Sequence, residues 1–224
     1  MSVEVIEGLR KLFEANRNEE AAALMEAYMK HHFAFIGLKT PIRTALEKSY
    51  WRQIGHIPQD DEMRIVVDAL WALPEREYQY TAMSLIGANL KRLNAGDVEW
   101  LERLIVAKSW WDTVDYLAAW PFGHVLRTCP DLVPDVTTRF IGSGNLWLQR
   151  TGILFQLRYK AATDAGLLFD YVRRCDGSKE FFIQKAIGWA LREYAKTNPD
   201  AVRSFVGSVN LAPLSRREAL KHLR

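Results

Sequence analysis

Apolar side chains recur along this chain every three to four residues, and no stretch alternates apolar with polar as a half-buried strand would. The period predicts a helix over about 3–15 with Val5, Leu9, Leu12 and Phe13 turned inward. A second is predicted over about 19–35, carrying Tyr28 beside Lys30, His31 and His32. Thr40-Pro41, a cap residue followed by proline in the first turn, opens a third to about residue 54. Further helices are expected over about 60–72, from Pro74 to about 90, and over about 98–107 after the turn Asn94-Ala95-Gly96-Asp97. Ser109 reads as the cap of a helix from Trp110 to Trp120 that stops at Pro121. Short helices to about 140 follow, then helices over about 145–160, 164–174 and 179–196, the last capped by Ser178. Asn198-Pro199 breaks the chain, and Pro213 and Ser215 lead a final helix. With about a dozen helices and only short connections, residues 1–224 are expected to form a single domain.

Three of these helices share a pattern. Tyr78-Gln79-Tyr80-Thr81-Ala82, Leu148-Gln149-Arg150-Thr151-Gly152 and Ile183-Gln184-Lys185-Ala186-Ile187 align without gaps, their glutamines 70 and 35 residues apart. A 35-residue period requires another copy at Thr113-Val114-Asp115-Tyr116, where the glutamine is missing. Helix pairs repeating at this length predict an all-α fold, an α-solenoid of HEAT-like antiparallel helix pairs with a concave groove. The register makes Tyr80, Asp115, Arg150 and Lys185 equivalent on successive helices. Trp111 stands one turn before Asp115, Trp189 one turn after Lys185, and Arg192 continues that face. The expected groove is therefore aromatic, anionic at one point and cationic toward the C-terminus.

Charge sharpens this picture. Residues 139–224 hold 15 Lys and Arg against 7 Asp and Glu, whereas residues 1–138 hold 15 against 20, so +8 and −5 lie behind the net +3. A basic C-terminal part suggests a polyanionic partner such as nucleic acid, although a solvated basic face has the same composition. Cys129 and Cys175 have no CxxC or histidine-rich context, and the five histidines are scattered, so no metal site and no disulfide framework are indicated. No stretch is apolar and charge-free over the length of a bilayer, and the N-terminus lacks an apolar signal core. A cytoplasmic, monomeric protein without membrane contact, metal or cofactor is expected.

The segment Lys108-Ser109-Trp110-Trp111-Asp112-Thr113-Val114-Asp115 is the chemically unusual one. On a helix Trp111 and Asp115 share a face, and an indole beside a carboxylate suits a positively charged partner. The plainer alternative puts one tryptophan in the core and the other over a loop, with the aspartates capping the helix or pairing with arginine.

That segment, together with Asn145-Leu-Trp-Leu-Gln-Arg150, the run from Ser178 to Pro199, Leu73-Pro-Glu-Arg-Glu77 and Leu211-Ala-Pro-Leu-Ser215, resembles the DNA alkylation repair family of HEAT-like-repeat DNA glycosylases over nearly the whole chain. The resemblance implies excision of N3- and N7-alkylated purines from double-stranded DNA without metal or cofactor. It places the catalytic carboxylate at Asp115, the lesion-site tryptophans at Trp111 and Trp189, a DNA-binding arginine at Arg150 and an aromatic near the lesion at Tyr28. Lys185, Arg158 and Arg192 are expected as further DNA contacts. An alkylated purine carries a positive charge and leaves readily, and its departure gives the deoxyribose oxocarbenium character. Asp115 has the charge to stabilise that sugar and could orient the attacking water. The competing class is a non-catalytic HEAT-like scaffold for nucleic acid or protein. A Schiff-base lyase lacks a lysine adjoining Asp115 in the repeat register, Lys108 lying seven residues earlier.

Overall fold

The structure is a computed structural model that describes residues 2–223. Among the described residues there is no β-strand beyond an isolated bridge between Ala34 and Glu75, and the fold is all-α. The chain divides into two compact units, Met1–Arg92 and Leu93–Arg224. Among the described residues no helix is long and apolar enough to cross a membrane.

The first unit holds α1 (Ser2–Glu14), α2 (Glu19–Tyr28), α3 (Thr40–Ile54), α4 (Asp60–Ala72) and α5 (Arg76–Ala88). Val5, Leu9 and Phe13 of α1 are buried, as their spacing requires, with Phe13 stacked on Tyr78 at 5.6 Å. The second helix ends at Tyr28, well short of the predicted residue 35. Lys30 and His31 adopt positive φ, and the chain then runs extended into the core. Glu77, fully buried, accounts for this: its carboxylate accepts the backbone N–H groups of Ile36, Gly37 and Leu38 at 2.8–3.1 Å. Three amides converging on one buried anion outweigh about two further turns of helix. Gly37 sits there at φ +94°, where a side chain would meet the Asn18 carbonyl.

The second unit holds α6 (Val98–Val106), α7 (Trp111–Leu117), α8 (Gly123–Thr128), α9 (Val133–Gly142), α10 (Leu146–Leu154), α11 (Ala165–Cys175), α12 (Phe181–Ala195), α13 (Pro199–Ser208) and α14 (Pro213–Ala219). Asparagine and aspartate cap several of them: Asn145, Asp164 and Asn198 each accept a first-turn backbone N–H. Within this unit α10 packs against α7, α9 and α12, while α14 lies along α12.

Several predicted boundaries differ: Ser178 does not cap α12, whose N-cap is Glu180, and Asn198-Pro199, expected to break the chain, opens α13. Ser109 does not cap α7; its hydroxyl turns back and donates to the Ile105 carbonyl at 2.7 Å, closing the end of α6. Pro121 does not stop the chain either, because the helix widens into a π-turn over Ala118–Phe122 that absorbs the missing N–H and continues into α8. And α10 ends at Leu154 rather than near 160, since Gln156 turns to bond both the N–H and the carbonyl of Asp164.

The 35-residue register has a structural counterpart. Gln79 donates to the carbonyls of Leu70, Trp71 and Leu73 at the end of α4; Gln149 to Ile141 at the end of α9; and Gln184 to Ser178 just past α11. Each shared glutamine thus satisfies carbonyls left open at the C-terminal end of the preceding helix. Where the register places Val114, the carbonyl of Ile105 is satisfied by Ser109 instead.

Candidate active site

On α7 the two adjacent tryptophans part company. Trp110, extended at the helix start, enters an aromatic cluster with Trp147 at 5.8 Å and Phe182 at 5.1 Å. Trp111, within the helix, instead lines a cleft together with Asp115 one turn on. The cleft, of about 390 Å³, is completed by Arg150 of α10, Phe181, Phe182, Lys185, Trp189 and Arg192 of α12, and Glu218 of α14. The structure thereby brings Trp111, Asp115, Arg150, Lys185, Trp189 and Arg192 to one place. Arg158 lies outside it, exposed after α10, with its guanidinium 3.5 Å above the Trp120 ring. Asp115 and Trp189 also line a second cleft of about 330 Å³ with Tyr116, Trp120, Arg158 and Lys160. Tyr28 is 70% exposed at the end of α2 in the first unit.

Asp115 is not the isolated carboxylate that the spacing suggests. The Arg150 side chain, only 5% exposed, meets it side-on, with Nε donating to Oδ1 at 2.6 Å and Nη2 to Oδ2 at 2.8 Å. The remaining Nη1 donates to the Phe182 carbonyl, tying α12 to the pair. The equivalence of Asp115 and Arg150 in the repeat register thus becomes direct contact between neighbouring helices. Each carboxylate oxygen has a second lone pair, so a bidentate arginine fixes the group's plane and still leaves acceptors for the cleft. Burial pushes the Asp115 carboxyl above the usual aspartate range, against the opposing hydrogen bonds and charge of Arg150.

Farther along α12, Lys185 and Arg192 both reach Glu218, Lys185 at 3.0 Å. Those bonds, the one from Lys185 foremost, hold the Glu218 carboxyl below the ordinary glutamate range. Glu218 makes a second carboxylate in the cleft, which sequence reasoning missed. Its partners lie 33 and 26 residues earlier, and no local pattern announces that α14 returns to α12. Phe182 was likewise passed over: its carbonyl, which any residue supplies, accepts from Arg150, while its ring packs against Trp110 and Trp147. Among the described residues no group of three His, Cys, Asp or Glu could hold a metal ion.

Paired cations with residual positive charge, an oriented carboxylate and two indoles suit a ligand that is polyanionic overall and cationic at one atom. A family model for DNA alkylation repair enzymes matches residues 9–223. A solved structure described as a predicted DNA alkylation repair enzyme from Enterococcus faecalis is similar to the chain, with 37% identity and a TM-score of 0.85. That match covers 92% of this chain and 96% of the other. No match is found among curated proteins.

Proposed function

Because the chain belongs to the DNA alkylation repair enzyme family, we propose that it is a monofunctional DNA glycosylase, hydrolysing the N-glycosidic bond of N3- and N7-alkylated purines in double-stranded DNA. The observation that carries this reading is the side-on Asp115–Arg150 pair, set in an open cleft beside Trp111 and Trp189. As the cationic base departs, positive charge moves onto the sugar ring, and a preoriented carboxylate stabilises that charge without reorganising. The same oxygens can accept a hydrogen bond from the attacking water. Trp111 and Trp189 add cation–π faces, each worth about 0.5–2 kcal/mol. No general acid is needed, since alkylation has already made the base a good leaving group.

In this reading the sugar approaches Asp115 while the base stays stacked or is only partly displaced. Enzymes that flip a base read its edge with hydrogen-bonding groups in a snug pocket. The residues lining this cleft are aromatic or charged, with no Asn, Gln, Ser or Thr among them, and the charged ones already bond one another. Lys185, Arg192 and Arg158 serve the DNA backbone, whereas Arg150 orients the Asp115 carboxylate that faces the sugar. The shared glutamine contact supports HEAT-like helix pairs repeated along one glycosylase domain, residues 1–224. A non-catalytic scaffold would have no use for a carboxylate held this way. A Schiff-base lyase is disfavoured because the cleft's lysine, Lys185, is engaged by Glu218.

The test is release of free base from methylated duplex DNA in excess EDTA, comparing the protein with its Asp115→Asn variant. Release by the parent alone is expected. Equal release by both, or none by either, would reject the assignment.

A further inference from the structure

Glu218 has no part in the reaction just described, yet it sits against two of the cations assigned to the DNA backbone. Its placement is built into the packing. Lys185, Gly188 and Arg192 fall at i, i+3 and i+7 on one face of α12. A Cβ at Gly188 would come within 2.5 Å of the Glu218 Cβ and 2.9 Å of the Ser215 carbonyl. The glycine therefore lets α14 seat Glu218 midway between the two cations. The Ser215 hydroxyl pins the approach by donating to the Gln184 carbonyl at 2.9 Å. From that seat one carboxylate oxygen takes Lys185 and the other Arg192. The Glu218 side chain is 14% exposed and that of Arg192 21%, so this contact is partly shielded from the solvent that weakens surface pairs, whereas Lys185, at 38%, reaches in from the open side.

Two cations sharing one anion present a net single positive charge to the cleft. We propose that Glu218 is a specificity-determining residue: it occupies Lys185 and Arg192 as a phosphate would, so that undamaged duplex meets only one effective charge there. This rests on the reading of the cleft as a DNA site. Its effect is to hold down affinity for undamaged duplex, because affinity for phosphates is set by the charge left unpaired. Glu218 touches neither the sugar nor the base; it acts through the two cations.

The experiment is anisotropy titration of an undamaged fluorescent duplex at about 50 and about 200 mM salt. It compares the protein with Glu218→Gln, Glu218→Asp and the double variant Lys185→Gln/Glu218→Gln. Glu218→Gln should bind more tightly, with a salt slope steeper by about 0.9, so that its advantage over the parent grows about 3.5-fold from the higher salt to the lower. Glu218→Asp, which keeps the charge, should restore the parental slope. The double variant removes one charge of each sign and should also match the parent; it carries the test should Glu218→Gln fail to fold. A Glu218→Gln slope equal to the parent's, or a double-variant slope shallower by about one unit, would overturn the proposal. Failure of the parent itself to bind duplex would instead remove the functional reading beneath it.

Discussion

Replacing Arg150 with Gln tests the centre of the cleft, because it removes a charge from a pair that is almost wholly out of water. The arginine side chain is 5% exposed and Asp115 15%, and all three guanidinium contacts are lost together. Breaking a buried ion pair from one side leaves an uncompensated charge and typically costs about 3–5 kcal/mol. The structure adds a pH signature. Burial already raises the Asp115 carboxyl, and the two effects that oppose it, the Arg150 hydrogen bonds and the Arg150 charge, both vanish in the variant. The folded-state value therefore rises further above the unfolded one of about 3.9. Between those values the folded state binds more protons than the unfolded, so stability falls as pH rises through the window. The deficit relative to the parent should be largest near about pH 7 and shrink as pH falls toward about 5. Urea unfolding at both pH values measures it. Asp115→Asn/Arg150→Gln, with no charge left to strand, should lose far less than the two single variants summed. In single-turnover excision the acid limb of the parent should lie above the ordinary aspartate value, since only the ionised carboxylate assists, and Arg150→Gln should move it higher still. A deficit independent of pH, additive single variants or an unmoved acid limb would refute the coupling.

Asp115→Asn should slow single-turnover base release by about 10²–10³-fold, the loss of one preorganised electrostatic contact, while duplex binding measured by anisotropy stays intact or tightens. Trp111→Ala and Trp189→Ala should each slow release by less. Gly188→Ala should destabilise the fold by about 1–3 kcal/mol in urea titration, because the added methyl meets the Glu218 side chain and the Ser215 backbone. Cationic lesions should be excised in strong preference to uracil, with little fluorescence rise from 2-aminopurine at the target position on binding; rapid uracil removal or a large rise would indicate a flipping pocket.

Sequence alone determined the helices wherever the apolar period is clear: the α4 span agrees residue for residue, whereas Asn198-Pro199, expected only to break the chain, caps and opens α13, because asparagine caps and proline fits a first turn. It also determined the 35-residue register and the shared face of Trp111 and Asp115, since both follow from counting residues on a helix. Only tertiary structure decided what those side chains touch. Asp115 and Arg150, equivalent in the register, are bonded to each other across helices, and Glu218 closes on Lys185 and Arg192 from α14. The buried Glu77 overrode a helical pattern by collecting the amides of Ile36, Gly37 and Leu38. The physical reason is common to all three. A charge taken out of water must find partners wherever packing brings them, and those partners lie 26 to 41 residues away, beyond the reach of any helical period.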